Sequence, residues 1–490
     1  MSKKSLLDII NLTIKHVSKL IASREISCLE VIDSTIERIE KLNPRLNAFI
    51  TILDEYARRE AKHADSLIKQ GKYLGPLHGI PISLKDLIYI KGVRSTSGSK
   101  ILADFVPDYD STVTRKLRLA GAIIIGTNNL HEFASGITGI NPHYGSSKNP
   151  WDIARMSGGS SGGSAVAVSS GMSLASIGTD TSGSIRVPSS LCGIFGLKPT
   201  YGRVSKYGVM PLAPSIDHVG PLAKSVWDIA ALLQIMAGYD KLDTSSMNVT
   251  VPDYVKGISS SSGTRNNNRY NGTNKKFKIG IPEQFFFDMI EPKVMDMFRA
   301  FIDRLSESGI VTISNVCVDG TDKILETWRP IRLGESAAIH NEWMVSRPKD
   351  YGEDVIRMLE KGLDITAVKY INALHKLRQE IKDAFLKAMS VYDALLVPTT
   401  IIPAPLLDQK EVNIEGKTIE VYSSLSRLTT VFDITGLPAL NIPAGLIDSK
   451  LPVGVQLVGR PFDEASILKI AYTYEKHYNL AEQFIPPSIK

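Results

Sequence analysis

Residues 156–171 read "MSGGSSGGSAVAVSSG" and run without a break into residues 172–200, "MSLASIGTDTSGSIRVPSSLCGIFGLKPT". By composition the first stretch is a flexible Gly/Ser linker. A linker should separate two units, yet no second unit starts after it. Instead "SGGSAVAVSSG" (161–171) has the small residues of a tightly packed helix, and "SLASIGTD" (173–180) reads as a buried strand. The glycines and serines therefore lie inside a core, and a chemical reason for them is required.

The same texture extends in both directions. "GPLHGIPISLKDLI" (75–88) and "AIIIGTNNL" (122–130) are short apolar runs bounded by Gly, Pro and Asn, the pattern of buried strands. "DSTVTRKLRLAG" (110–121) lies between them as a helix closed by Gly121. Strand, helix, strand implies an α/β sheet. "SVWDIAALLQIMAG" (225–238) adds a helix. Further strands are expected at "FKIGIPE" (277–283), "DALLVPTT" (393–400), "ALNIPAG" (439–445) and "VGVQLVG" (453–459), with helices between 284 and about 390.

Upstream, residues 5–70 place apolar side chains at helical spacing in three runs. Ser27 and Glu30 have capping-box spacing at the start of the second helix, and Asn43-Pro44 is expected to end it. The fold expected is α/β, a single large domain over 1–490 with a central mixed β-sheet covered by helices on both faces. Within it, 1–70 is a helical entry region, 75–240 a catalytic core, and 277–490 the half that completes the sheet and the substrate pocket. The polar segment "ISSSSGTRNNNRYNGTNKK" (258–276) reads as a flexible surface insertion.

Composition excludes several classes. Apolar residues make up 43% and charged residues 22%, as in ordinary globular proteins. The net charge of +6 is spread thinly, and the only basic cluster, "RNNNRYNGTNKK" (265–276), is too sparse for a nucleic-acid arm. No apolar run reaches membrane-spanning length. Cys28, Cys192 and Cys317 are few, odd in number and far apart. They point to a reducing, cytoplasmic setting and to buried apolar roles rather than disulfides or a metal site.

The Gly-rich pieces "GGSSGGS" (158–164) and "GTDTSGSIRVP" (178–188) invite two readings. A phosphate loop needs a Lys-Ser/Thr after the glycines, and a dinucleotide fingerprint needs its own Gly spacing; both are missing. An oxyanion hole needs successive backbone N–H groups, which the run Thr181, Ser182, Gly183, Ser184 offers after a strand. Ser184 would then be a nucleophile in need of a base. His78, His131, His143 and His218 have no acidic partner at a telling spacing. Lys85 in "SLKD" lies in an apolar run, where loss of water would favour its neutral form; alone, it reads equally as an edge-strand charge or a partner of Asp86.

Taken together and in this order, Lys85, "GGSSGGS" and "TDTSGSIR" resemble the amidase signature family. The resemblance extends from "ISCLEVIDSTIERIEKLNPRLNAFI" (26–50) to "LPVGVQLVGRPFDEASIL" (451–468). It implies a Ser–Ser–Lys triad of Ser184 as nucleophile, Ser160 as bridging serine after a cis peptide bond from Gly159, and Lys85 as base. Backbone N–H groups of Thr181 to Ser184 would hold the oxyanion. Ser161, Asp180 and Arg186 would support the triad. The family's loop near the substrate amide matches "NNLHEFASG" (128–136), which makes Ala134 and Gly136 candidate substrate contacts and His131 a structural residue. One departure is Ser182, where the family usually has glycine. No cofactor and no metal are implied.

The resemblance carries two functional readings. In the first, the chain is a free-standing amide hydrolase acting on a small-molecule amide, alone or as a homodimer. In the second, it is the glutaminase subunit of a tRNA-dependent amidotransferase and needs partner subunits. The first is preferred from the sequence, because Ser426 stands in "SSLSRLTTVFDITGLP" (423–438) about where the second would place an acidic residue for the glutamine amino group. For the glutamine carboxylate, "EDVIRM" (353–358) offers Arg357 alone. Pocket-wall candidates are Trp343, Met344, Tyr351 and Met358, with ordinary helix packing as the alternative for each.

Overall fold

The computed structural model describes residues 12–259 and 276–487. Thirteen strands form among them: β1 (Phe49–Ile52), β2 (Pro81–Lys85), β3 (Ile123–Asn128), β4 (Ala175–Asp180), β5 (Phe195–Lys198), β6 (His218–Ala223), β7 (Phe277–Pro282), β8 (Val311–Val316), β9 (Ala394–Pro398), β10 (Glu411–Ile414), β11 (Lys417–Glu420), β12 (Ala439–Ile447) and β13 (Leu451–Val458). All but the β10–β11 hairpin join one eleven-stranded sheet, in the order β1-β3-β2-β4-β6-β5-β12-β13-β9-β7-β8. The sheet is mixed: β2 runs parallel to β3 and β4, while β4 runs antiparallel to β6. This is the α/β architecture expected from the sequence.

The stretch at 156–180 folds as its pattern suggests. Gly162–Ser169 is a helix, every residue of it buried, followed by β4, buried throughout. The small residues are required by contact. A Cβ at Gly163 would stand 2.4 Å from the Ala48 carbonyl oxygen. Gly158, at φ +75°, turns the chain in a left-handed conformation open to glycine.

Three local expectations are corrected. The second helix does not stop at Asn43-Pro44 but runs over Cys28–Leu46 with Pro44 inside it. Pro44 lies in the last turn, where it removes a single N–H, and Asn43 Oδ1 accepts the N–H groups of Ala48 and Phe49 just beyond the helix end. The span from 284 to 390 holds a strand, β8, whose residues point mostly to solvent and so carry no apolar run. Cys28 and Cys192 are buried as expected, but Cys317 is exposed. Of the insertion at 258–276, all but Ile258, Ser259 and Lys276 lies outside the described residues.

The register aligns the ends of two parallel strands. Leu84 pairs with Ile177, so Lys85 at the end of β2 comes level with the end of β4, where Thr179 and Asp180 sit. The carboxyl ends of parallel strands are where open α/β sheets build their sites. No helix of the described residues is long and apolar enough to cross a membrane.

Candidate active site

Lys85 is fully buried. Its Nζ lies 2.6 Å from Ser160 Oγ and 2.8 Å from Thr179 Oγ1. Burial lowers its pKa to about 7, against the opposing pull of the Asp180 and Asp217 carboxylates. Ser160 follows a cis peptide bond from Gly159. Its carbonyl accepts the His131 N–H at 3.2 Å, and the next N–H, that of Ser161, donates to the Ser184 carbonyl at 3.2 Å. The strand ends therefore bring Lys85, Ser160 and the Ser184 loop together, although ninety-nine positions separate Lys85 from Ser184 in the chain.

The loop 181–185 is pinned from below by Asp180. One carboxylate oxygen accepts the Gly183 N–H at 2.6 Å; the other accepts the N–H groups of Ile185 and Arg186. Arg186 clamps the same carboxylate from Nε and Nη2, both at 3.0 Å. Burial alone would raise the Asp180 pKa, but the Arg186 guanidinium outweighs it and holds the group well below the usual carboxylate range. This bonding holds the loop that carries Ser184. It also removes Gly183 from the four expected oxyanion donors, because its N–H is already committed to Asp180. Among the described residues, the N–H groups of Thr181, Ser182 and Ser184 have no protein acceptor.

Ser182 accommodates its side chain without strain. It is not among the left-handed residues, and Gly183 takes the demanding φ of +117° instead. Ser161 Oγ donates to the Thr179 carbonyl and accepts its N–H, so it braces β4 and makes no contact with the Ser160 hydroxyl.

A cavity of about 400 Å³ opens beside Thr179 and Thr181. Its wall includes Ala134, Tyr207, Met210, Leu212, Asp217 and His218. Of the five substrate contacts expected, only Ala134 lines it. Gly136 is pressed against the His131 ring, where a Cβ would come within 2.1 Å. Trp343 and Tyr351 pack instead with Phe133 and His340, and the Tyr351 hydroxyl meets His340 Nδ1 at 2.9 Å. Arg357 faces solvent at 69% exposure and pairs with Glu353 one turn away. The pattern at 340–362 is helix packing, as the alternative reading of those residues has it.

Three histidines do have carboxylate partners, two of them supplied from far along the chain and one, Glu132, eleven positions before its histidine. His131 Nε2 lies 2.9 Å from Asp354, His143 Nε2 lies 3.0 Å from Glu132, and His218 Nδ1 lies 3.6 Å from Asp433. Local spacing could not reveal the His131 partner, since His131 and Asp354 are 223 positions apart, whereas Glu132 was within local reach of His143 and was missed. His218 is held neutral, first by burial and then by Lys198 beside it.

Several contacts went unseen in the sequence. Thr179 is the second partner of Lys85. Asp433 and Gln456 complete the shell around Arg186, at 2.7 Å and 2.9 Å. On the helix Ile324–Ser346, Trp328 donates to Ser182 Oγ, Arg332 to Ser135, and Ser336 to the Leu212 carbonyl. Their spacing of four is a sequence signal for one shared helix face.

The comparisons agree with this architecture. The family model for Amidase matches residues 30–468. Curated relatives include a glutamyl-tRNA(Gln) amidotransferase chain of Carboxydothermus hydrogenoformans, 35% identical over 95% of this chain and 97% of that protein. Among solved structures, a chain from a vestigial protein complex studied for the origins of an s-triazine catabolic enzyme has a TM-score of 0.88 at 30% identity, covering 95% of this chain and 98% of that one. A crystal structure of an amidase has a TM-score of 0.84 at 32% identity, covering 95% of this chain and all of that one. The chain belongs to the amidase signature family, and it is an enzyme of that class.

Proposed function

We propose that the chain cleaves an amide C–N bond through a Ser184 acyl-enzyme, and that it does so as the ammonia-producing component of a glutamyl-tRNA amidotransferase type of assembly. The observation that carries the chemistry is the 2.6 Å approach of a buried Lys85 to Ser160. Neutral Lys85 accepts the Ser160 proton as Ser160 accepts that of Ser184. Ser184 Oγ attacks the amide carbonyl, and the developing oxyanion is held by the unengaged N–H groups of Thr181, Ser182 and Ser184. The proton returns through Ser160 to the departing nitrogen. Water then adds to the ester along the same relay and releases the carboxylate.

The choice of assembly rests on the curated relatives, which carry the glutamyl-tRNA(Gln) amidotransferase name at 35% identity and nearly full coverage. They favour this reading over the free-standing hydrolase preferred from the sequence. Two observations support the free-standing hydrolase. Ser426 Oγ donates to the Tyr422 carbonyl within its own helical turn, and Arg357 is exposed and paired with Glu353. Neither offers glutamine the countercharge its ammonium or carboxylate would require.

Ammonia release by the purified chain, from glutamine, asparagine, aliphatic and aromatic amides, separates the two. Glutamine turnover that appears only with partner subunits supports the assembly. Turnover of simple amides by the chain alone supports the hydrolase. Turnover surviving Ser184→Ala overturns the nucleophile.

A further inference from the structure

Arg332 carries a charge that no carboxylate among the described residues meets. It is 1% exposed. Its Nη2 donates to the carbonyl and hydroxyl of Ser135, at 2.6 Å and 2.8 Å, while its Nη1 is buried without an acceptor. The acidic groups whose field reaches it are the Tyr422 phenol and the Asp217 carboxylate. Asp217 is committed elsewhere, to the Thr181 hydroxyl at 2.6 Å and to the N–H groups of Leu212 and Ala213. Two turns further along the same helix, burial lowers the His340 pKa to about 4, so that group is neutral and adds no second positive charge.

The position of this guanidinium is specific. One turn before it Trp328 holds Ser182, and one turn after it Ser336 holds the Leu212 carbonyl. Ser135 adjoins Ala134, and both Ala134 and Leu212 line the cavity. Arg332 thus lies between the Ser184 loop and the cavity wall. A buried, unpaired guanidinium is costly to a fold. A trapped water would satisfy one N–H but would leave the charge unanswered.

We infer that Arg332 is a specificity-determining residue: it pairs with a carboxylate on the acyl side of the amide, so that the chain selects amides of anionic acyl groups. This rests on the amide-hydrolase reading above. A planar guanidinium with a spare N–H is suited to a carboxylate in a way that a point charge is not. Because Nη1 is enclosed, the carboxylate reaches it as a covering side chain shifts. Tyr422 is half-buried, and its hydroxyl is held by a 3.9 Å contact to the Met358 thioether, a weak acceptor. Its phenol is one of the two groups whose field reaches Arg332. The role the sequence offered to Arg357 passes to a residue that faces inward.

The test is equilibrium binding to the full chain carrying Ser184→Ala, by calorimetry, using succinamate, glutaramate and adipamate against the matching neutral diamides. At least one carboxylate-bearing amide is expected to bind about 10- to 100-fold more tightly than its neutral partner. Arg332→Gln in that background abolishes the preference, and Arg332→Lys retains part of it. Equal binding of charged and neutral amides, no binding of any, or a preference that survives Arg332→Gln overturns the assignment. Should Arg332→Gln fail to fold by circular dichroism, the preference of the Arg332-intact chain and its reduction in Arg332→Lys decide. Turnover by the chain with native Ser184 separates the two readings. No ammonia from any amide, with or without partner subunits, despite a carboxylate preference overturns the amide-hydrolase reading and leaves Arg332 standing, whereas indifferent turnover of charged and neutral amides overturns Arg332 alone.

Discussion

Trp328 Nε1 donates to the Ser182 hydroxyl at 2.9 Å, and so the side chain at a position where glycine was expected is a tether. The Ser182 carbonyl is held as well, by the Thr429 hydroxyl at 2.6 Å. Both bonds fix the turn that carries Ser184. Ser182→Gly leaves a buried indole N–H without an acceptor, which is expected to cost about 1–3 kcal/mol in stability. Trp328→Phe removes the donor instead. Because the two side chains share one bond, the double variant should lose less than the sum of the singles. Urea denaturation of the four proteins measures this. Strict additivity would mean that the contact is of no energetic consequence.

The acid limb of the pH–rate profile should belong to Lys85. Its pKa is lowered to about 7, chiefly by burial. The relay needs the neutral amine, so kcat/KM is expected to rise with pH through about 7 and then level off. The stability sign is separate. An unfolded lysine binds its proton up to its ordinary pKa of about 10.4, whereas the folded one releases it near 7. Lys85 therefore destabilises the fold fully below pH 7, and this cost is relieved as pH rises from 7 toward its ordinary pKa. Lys85→Met should abolish the kinetic limb and flatten this part of the stability profile. A profile with the same limb in the variant would assign that titration to another group.

Much of this site could be read from the chain because its parts sit on local patterns. The strand ends around Lys85 and Asp180 are marked by apolar runs with Gly and Pro punctuation, and the buried Gly/Ser stretch stands out against any ordinary linker. Thr179 was within the quoted motif, but its hydroxyl partner depends on the register of β2 against β4, which no short-range pattern encodes. Asp433, Gln456 and Arg332 reach the site from elements 247, 270 and 197 positions from their partners. Such pairings are fixed by topology alone. The misplacement of Trp343, Tyr351 and Arg357 has the opposite cause: a helix pattern gives a face, but does not say whether that face meets a cavity, an aromatic cluster or water.

Asp433 shares Arg186 with Asp180, and the two carboxylates are fully buried. Burial and the neighbouring Asp180 push the Asp433 pKa well above the usual carboxyl range. The folded chain thus keeps a proton that the unfolded chain releases, and the stability from this group is lost as pH rises through its folded pKa. Asp433→Asn resembles the protonated acid and still offers Arg186 an oxygen, so it should cost under about 2 kcal/mol. Asp433→Ala strips one acceptor from a buried guanidinium that Asp180 still pairs, and should cost about 1–3 kcal/mol more than Asp433→Asn. Thermal unfolding across pH compares them. Equal losses in the two variants would show that the carboxyl oxygen on Arg186 is of no consequence.

Ser160 and Ser184 should fail in different ways when removed. Under the proposed relay, Ser184→Ala eliminates the atom that forms the acyl-enzyme, so no covalent adduct is possible. Ser160→Ala keeps that atom but breaks its link to Lys85, whose Nζ lies 2.6 Å from Ser160 Oγ. Loss of positioned proton transfer is worth about 10²–10⁴ in rate. A fluorophosphonate probe, which traps activated serines, should therefore label the unaltered chain rapidly and at Ser184 alone. Ser160→Ala and Lys85→Ala should label at the same residue but more slowly by about that factor, and the combined variant should be no slower than either single one, because both remove the same relay. Mass spectrometry of the labelled peptide reads the site directly. Adduct on Ser160 in the unaltered chain, or losses that multiply in the combined variant, would reverse or uncouple the roles assigned to the two serines.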